Sequence, residues 1–305
     1  MKTALSPLAT NDQKPSSSTD TLSQKESRVS VKFWGVRGSV PTPVVTNQRY
    51  GGNTICVEVT MGEQRLILDS GTGVVGLGDY IQETSQTEKS GIEAHLLFTH
   101  THWDRIQGFP FFRPAFVPGN RFSVYGGIAL NGASIKHCLT DQMLRPHFSV
   151  PLQNMLAELN FHTLQNRDNF QIGDISVETL LTNAATGALG YRLTWQDFVI
   201  VYATDTSIEQ NEPDLLAFID QADLFIHDGT YSDLSYLHHT ETPEQLALHP
   251  WEKGITLIEK ANIKKLALLH HSPIQNDVIL DQLELDIRDR YPNAVVAYEG
   301  LVIEH

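Results

Sequence analysis

The residues best suited to chemistry by type and spacing are His100, His102 and Asp104, which alternate along the segment His100-Thr101-His102-Trp103-Asp104. Two imidazoles two residues apart at the end of a strand can turn toward one cation, and a carboxylate two residues further on reaches the same ion or a neighbouring one. Neutral imidazole nitrogens and carboxylate oxygens are ligands that Zn²⁺ and other transition metals accept. A polar loop with incidental histidines is the alternative, but the added aspartate favours a metal site.

Three later apolar runs end in residues of the same ligand types: Asp205, the pair His227-Asp228, and His270. If these runs are strands of a layered fold, their ends can meet at a sheet edge, where a rigid scaffold positions a site. Taken alone, each residue could be an ordinary turn or capping residue, and Asp205 could cap the segment that begins at Thr206. The context that all three share favours one common site.

Short β-rich runs alternate with helical or turn-like segments along most of the chain. The pattern predicts strands at 29–34, 54–60, 65–68, 94–98, 121–125, 159–164, 175–181, 191–195, 198–202, 224–226, 265–269 and 295–298. It predicts helices through about Ile81 after a break at 69–73, and at 135–143, 214–219, 251–261 and 277–290. Strands in each half with helices between them indicate a two-sheet sandwich with outer helices.

The composition is that of a globular protein, with 305 residues of which 41% are hydrophobic. The net charge of −14 repels phosphate backbones, so broad nucleic-acid binding is not expected, although a local basic pocket for one small phosphate stays open. No apolar run approaches the length of a membrane span. Residues 1–28 are predicted to form a disordered tail without the hydrophobic core of a signal peptide, and residues 29–305 a folded domain. Cys56 and Cys138 are predicted to be reduced thiols of a cytoplasmic protein.

Several motifs together give the chain a family resemblance. They are Phe33-Trp34-Gly35-Val36-Arg37-Gly38-Ser39, Arg49-Tyr50-Gly51-Gly52-Asn53-Thr54, Leu68-Asp69-Ser70-Gly71-Thr72-Gly73, the segment 100–111, Gly187-Ala188-Leu189-Gly190-Tyr191-Arg192, Ala203-Thr204-Asp205 and Leu269-His270-His271. With these motifs the sequence, from about Val31 onward, resembles the metallo-β-lactamase superfamily, and within it the cyclic-nucleotide-phosphodiesterase-like branch related to ribonuclease Z. The resemblance implies an α/β (α+β) fold, the αββα sandwich, with a metal site at the sheet edges.

The resemblance also implies a set of metal ligands in this sequence. His100 and His102 would hold a first ion, Asp104 and His270 a second, and Asp205 would bridge the two. The implied cofactor is Zn²⁺ or Mn²⁺, as one or two ions.

Further residues gain roles from the same resemblance. Asp104 would orient the attacking hydroxide, while Asp228 and His249 would pass a proton to the leaving oxygen. His249 is followed by Pro250 and Trp251 instead of the small hydroxyl residues of the family. Asp69 would orient a ligand histidine.

Two departures from the family pattern stand at expected ligand positions. Arg105 takes the place of the histidine that follows the aspartate, and Ala184 takes the place of a histidine in the turn before Gly187. Some β-lactamases of the superfamily carry an arginine at this position, so Arg105 alone does not exclude a second metal. Because a guanidinium suits phosphate geometry, Arg105 is predicted to contact an anionic substrate.

Two functions follow as expectations. The first is a metal-dependent hydrolase that cleaves a small phosphodiester, such as a cyclic nucleotide, by a metal-activated water. The second is a catalytically inactive member of the family that binds a small anion or a protein partner. The negative charge disfavours an RNA-processing nuclease. His238 or His239 could substitute for a missing metal ligand. A homodimer is left open.

Overall fold

The computed structural model describes residues 29–85, 91–228, 255 and 257–305. The predicted tail at 1–28 lies outside the described residues, as do residues 251–254 and 256 of the helix predicted at 251–261, whereas residues 255 and 257–260 are helical. None of the helices in the described part of the chain combines the length and apolar character needed to cross a membrane.

The described strands form two sheets of seven strands each. The N-terminal sheet has the order β14-β1-β2-β3-β4-β5-β6, formed by β1 (Val29–Gly35), β2 (Cys56–Met61), β3 (Gln64–Leu68), β4 (Glu93–Phe98), β5 (Arg121–Gly126), β6 (Glu158–Thr163) and β14 (Val302–Glu304). The C-terminal sheet has the order β13-β12-β11-β10-β9-β8-β7, formed by β7 (Asn169–Ile172), β8 (Ile175–Asn183), β9 (Ala188–Trp195), β10 (Phe198–Ala203), β11 (Leu224–Asp228), β12 (Leu266–Leu269) and β13 (Ala294–Val296).

The inner faces of the two sheets pack on each other. Strand β1 buries every second side chain, and Val31 and Phe33 join Tyr191 and Leu193 of β9 in one apolar cluster. In β10, Tyr202 faces this inner cluster whereas Val201 faces an outer one, so both faces of the strand are covered. This arrangement is the predicted two-sheet sandwich.

Helices cover the outer face of each sheet. They are α1 (Gly73–Thr84), the short α2 (Trp103–Ile106), α3 (Ile135–Asp141), α4 (Ile208–Ile219) and α5 (Asp277–Arg290). The buried residues Val74, Leu77 and Ile81 of α1 pack on the N-terminal sheet, and burial of each such side chain stabilises the packing by about 1.5–3 kcal/mol. Helix α5 packs on the C-terminal sheet through Leu280 and Ile287. The αββα sandwich is therefore confirmed.

Sequence prediction and structure agree on most elements and differ at the sheet edges. Helix α5 has the predicted bounds because the side chain of Asn276 accepts hydrogen bonds from the backbone amides of Val278 and Ile279, which fixes where the helix begins. Helix α4 begins at Ile208 rather than at Asp214. The edge strands β7 and β14 were not predicted, because neither contains a buried apolar run.

The strands that end at the site belong to a parallel set of strands within each sheet. In the N-terminal sheet β3, β4, β5 and β6 are parallel, and in the C-terminal sheet β10, β11, β12 and β13 are parallel. The carboxyl ends of parallel strands meet at one edge of a sheet, so the residues that follow them are brought together. The residues predicted as ligands therefore follow strands that end at a common edge of each sheet.

Candidate metal centre

Five strand ends contribute to the site. Asp69 follows β3, His100 lies two residues after β4, Asp205 lies two residues after β10, Asp228 ends β11 and His270 follows β12. Asp69, Asp205 and His270 have left-handed backbone φ values of 57°, 54° and 66°. Such values are uncommon outside glycine and persist where the surrounding structure fixes them. Three of the five strands, β3, β10 and β12, are therefore followed by a sharp backbone turn that carries a site residue.

The side chains of His100, His102 and Asp205 form a cluster with the geometry of metal ligands. Their donor atoms all lie within 4.8 Å of one another, and His100 Nε2 is 3.6 Å from Asp205 Oδ2. Two ligands of one zinc ion, each about 2.0–2.2 Å from it, stand a little over 3 Å apart. Asp205 Oδ2 is buried and has no hydrogen-bond partner among the described residues, so it has an acceptor position that a cation would fill. His102 is exposed and leaves the cluster open to solvent on one side.

The other ring nitrogen of His100 is held from behind. The hydroxyl oxygen of Thr99 lies 3.0 Å from His100 Nδ1, and the same hydroxyl contacts Asp69 at 3.0 Å. This contact leaves Nε2 facing Asp205. Burial, with the neighbouring Arg105 charge adding to it, lowers the pKa of His100 well below its ordinary value, so the ring is neutral as a ligand must be. Asp69 thus acts on His100 through Thr99.

Asp205 is held by two polar contacts. The side-chain amide of Asn183 donates to Asp205 Oδ1 at 3.2 Å, and the backbone amide of Asp205 donates to Asp228 Oδ2 at 2.5 Å. Ala184, where the family resemblance implies a histidine, is the exposed residue next to Asn183. The turn that lacks a ligand is therefore directly beside the cluster.

Asp104 and His270 are brought together, with Asp104 Oδ2 3.3 Å from His270 Nε2. Asp104 also contacts Arg105, whose Nε lies 3.1 Å from the same carboxylate oxygen. Burial acts to raise the pKa of the Asp104 carboxyl, but the charge of Arg105 and the hydrogen bond with His270 hold it well below its usual range. Asp104 is therefore a buried, ionised carboxylate that is already partnered by the protein.

Arg105 points into the protein and not toward a substrate. Only 1% of the residue is exposed, and its Nη1 lies 3.1 Å from both Asp69 Oδ2 and Thr204 Oγ1. The predicted contact of Arg105 with an anionic substrate therefore has no support from this geometry, because the guanidinium is occupied by Asp69 and Asp104.

The predicted proton-transfer residues are only partly within the described chain. Asp228 is buried beside the cluster, with its Oδ2 3.8 Å from His270 Nδ1. His249, His238 and His239 lie outside the described residues, so their roles stay predictions. His227 turns away from the site, since its Nδ1 contacts the carbonyl oxygen of Ala203 at 2.8 Å.

Sequence reasoning missed several residues that shape the site, namely Thr99, Asn183, Tyr202, Thr204 and Gly38. At Gly38 an added Cβ would lie 2.6 Å from His270 Nε2, so the absence of a side chain there admits the His270 ring. The family motif around Gly38 was a signal for this position. Thr99, next to His100 in sequence, was a second available signal.

Comparison with known proteins agrees with this fold. The family model of the beta-lactamase superfamily domain matches residues 64–271, and the chain belongs to that family. No curated protein matches the sequence.

Three solved structures illustrate the similarity of the fold. The metallo-beta-lactamase fold protein YhfI from Bacillus subtilis is 16% identical, with a TM-score of 0.63 over 92% of this chain and 100% of its own. A diphosphatase from the PhnP family is 14% identical, with a TM-score of 0.60 over 91% and 98%. The short form of human tRNase Z is 16% identical, with a TM-score of 0.55 over 90% and 98%. At these identities the likeness is one of fold.

Proposed function

We propose that this protein is a metal-dependent hydrolase that works with one ion, held by His100, His102 and Asp205, and cleaves a small phosphodiester such as a cyclic nucleotide. The observation that carries the proposal is the cluster of these three side chains, with donor atoms within 4.8 Å of one another. Three protein ligands with an open position are the usual arrangement of a catalytic zinc site.

The donor set suits Zn²⁺ or Mn²⁺, because both accept imidazole and carboxylate ligands. When bound, the ion would lower the pKa of a water molecule and stabilise negative charge on a phosphoryl oxygen. The donors are Oδ2 of Asp205, which has no hydrogen-bond partner among the described residues, and the neutral ring of His100. The exposed side of His102 leaves access for a substrate.

The protein's own carboxylates supply the remaining chemistry. Asp104 stays ionised beside Arg105 and can accept a hydrogen bond that orients an attacking water. Asp228 lies against the backbone amide of Asp205 and near His270, where it can take part in proton transfer toward the leaving oxygen. His249 is proposed as its partner from the family resemblance.

The substrate class is supported by fold and by charge. The diphosphatase and the tRNase Z that share this fold have names that denote enzymes acting on phosphate-containing substrates. A net charge of −14 disfavours a long nucleic acid and favours a small substrate.

Cys56 and Cys138 are both free thiols, which is in keeping with a cytoplasmic protein.

The test combines metal analysis with hydrolysis of bis(p-nitrophenyl) phosphate and of 2′,3′- and 3′,5′-cyclic nucleotides in the presence of Zn²⁺ or Mn²⁺. We expect His100→Ala and Asp205→Asn to lower kcat/KM by about 100-fold or more, because charge stabilisation worth several kcal/mol is lost. His137→Ala is the matched control, since His137 is exposed and pairs with Asp141 on α3. Metal content well below one ion per chain with no hydrolysis would exclude the enzyme.

The second candidate is a catalytically inactive member of the family that binds a small anion or a protein partner. The observation that favours it is the engagement of Asp104 by Arg105, together with an alanine at position 184. This candidate predicts neither bound metal nor hydrolysis in the experiment above. Activity that survives Asp104→Ala would instead place the chemistry elsewhere in the protein.

A further inference from the structure

One carboxylate oxygen in the site faces two basic groups. Oδ2 of Asp104 lies 3.1 Å from Nε of Arg105 and 3.3 Å from Nε2 of His270. Asp104 and His270 are the residues that the family resemblance assigns to a second metal ion. In this protein, the guanidinium of Arg105 lies within contact distance of the Asp104 oxygen that such an ion would need as a ligand.

Arg105 cannot easily leave this position. Its Nη1 contacts Asp69 and Thr204 at 3.1 Å each, and Asp69 in turn accepts a hydrogen bond from the hydroxyl of Tyr202 at 2.7 Å. Only 1% of Arg105 is exposed, and Asp69 and Tyr202 are fully buried. A guanidinium keeps its charge at any pH at which the protein is folded, so deprotonation cannot relieve its repulsion of a nearby cation.

Among the described residues, the donors for a second ion are also too few. Within residues 29–85, 91–228, 255 and 257–305, one set of three ligand-type side chains has donor atoms close enough to share an ion, and it is His100, His102 and Asp205. Asp104 and His270 do not form a second set with any other described residue. Two protein donors fall short of the three or four that hold zinc in proteins.

We infer that the guanidinium of Arg105 takes the place of a second metal ion. The site then binds one exchangeable ion, and its second positive charge is the fixed charge of the Arg105 side chain. The inference rests on the proposed function only for the first ion. It has a physical consequence, because the charge beside Asp104 persists when a chelator removes the metal. Asp104 then acts as the anchor of an internal ion pair and not as a metal ligand.

The test is a Mn²⁺ titration of the full chain, followed by equilibrium dialysis, metal analysis and electron paramagnetic resonance. The unaltered protein is expected to bind one ion per chain with the spectrum of an isolated Mn²⁺. Arg105→His should add a second ion per chain and give the spectrum of a spin-coupled pair. Arg105→Lys is the matched control, because it keeps a buried cation and should leave the stoichiometry unchanged.

Asp104→Asn provides a second route if Arg105→His fails to fold. If Asp104 is not a metal ligand, the amide should leave the Mn²⁺ stoichiometry unchanged. The affinity for Mn²⁺ should fall by less than about tenfold, which is the lower end of the loss seen when a group that orients a metal ligand is removed. Asp205→Asn, by contrast, should abolish binding. Loss of Mn²⁺ binding in Asp104→Asn would overturn the inference.

The outcomes separate this inference from the proposed function. Two ions in the unaltered protein would overturn the inference and leave the hydrolase intact. No ion in the unaltered protein but a gain of metal in Arg105→His would support the role of Arg105 in place of an ion, and would overturn the first ion and with it the hydrolase. An Arg105→His protein that folds and gains no metal would overturn the inference in either case.

Discussion

Tyr202 donates its hydroxyl hydrogen to Oδ2 of Asp69 across the two sheets, with 2.7 Å between the two oxygens. Tyr202 belongs to β10 of the C-terminal sheet, and Asp69 follows β3 of the N-terminal sheet. Both residues are fully buried, and Arg105 contacts the same oxygen of Asp69 at 3.1 Å. The edge of the sandwich that carries the site is therefore joined by a charged hydrogen-bond network as well as by apolar packing.

Tyr202→Phe should destabilise the protein by about 1.5–3 kcal/mol, the usual contribution of a hydrogen bond to a charged group. The ring volume is kept, so the loss reports the hydroxyl and not a cavity. Urea unfolding followed by circular dichroism measures the change. Tyr80→Phe is the control, since Tyr80 is exposed on α1, and a change there within about 0.5 kcal/mol is expected. Equal effects at the two positions would contradict the assigned role of the Tyr202 hydroxyl.

The ligand types of the site could be predicted from sequence because each follows an apolar run directly. His100, Asp205 and His270 come one or two residues after strands whose buried character is plain in the sequence. A strand end, once recognised, fixes which edge of the sheet its next residues occupy. The local pattern of apolar and polar residues was therefore enough to predict most of the fold and the candidate ligands.

The partners of Arg105 could not be predicted in the same way. Its contacts with Asp69 and Thr204 join residues 36 and 99 positions apart, and no local pattern encodes such a pairing. The sequence analysis consequently assigned Arg105 to an anionic substrate, whereas the structure shows its side chain buried. The edge strands β7 and β14 escaped prediction for another reason, since a half-exposed strand of three or four residues has too weak an apolar signal.

Asn183→Ala should weaken metal binding by about 10–100-fold, the range found when a group that orients a metal ligand is removed. The amide of Asn183 donates to Oδ1 of Asp205, and without it the carboxylate can rotate away from His100. Competition with a chromophoric chelator measures the affinity. Asn160→Ala on β6, where the amide contacts Glu158, should leave the affinity unchanged. An unaltered affinity in Asn183→Ala would show that Asp205 needs no support or binds no metal.

Gly38→Ala should destabilise the protein by about 1–3 kcal/mol, because the new methyl group would lie 2.6 Å from His270 Nε2 and force the buried ring to move. The movement should also break the 3.3 Å contact between His270 and Asp104. Thermal unfolding and the nitrogen resonances of the His270 ring report the two effects. Gly76→Ala on helix α1 is the control, since the nearest atom to its methyl group would be in the Trp34 ring at 3.6 Å. That substitution should stabilise the protein by about 0.5–1 kcal/mol.

The stability of the protein should fall as the pH is lowered below about 6.5, the pKa of an unperturbed histidine, and His271 should account for part of the fall. Burial, reinforced by the charge of Arg37, lowers the pKa of His271 to about 3, and its Nε2 lies 2.7 Å from the carbonyl oxygen of Ala297. Between these two pKa values the unfolded chain binds a proton that the folded chain does not. The contribution of His271 to stability is therefore present above the pKa of the unfolded chain and is lost as the pH falls toward the pKa of the folded chain.

The expected slope from this one residue is about 1.4 kcal/mol per pH unit in that window. Urea unfolding at intervals between pH 7 and pH 4 measures it. His271→Gln keeps a side-chain donor for Ala297 and should remove this part of the slope. His137→Gln, on the exposed face of α3, should leave the slope as it is. A slope that is the same in all three proteins would show that the buried ring of His271 is not the group responsible.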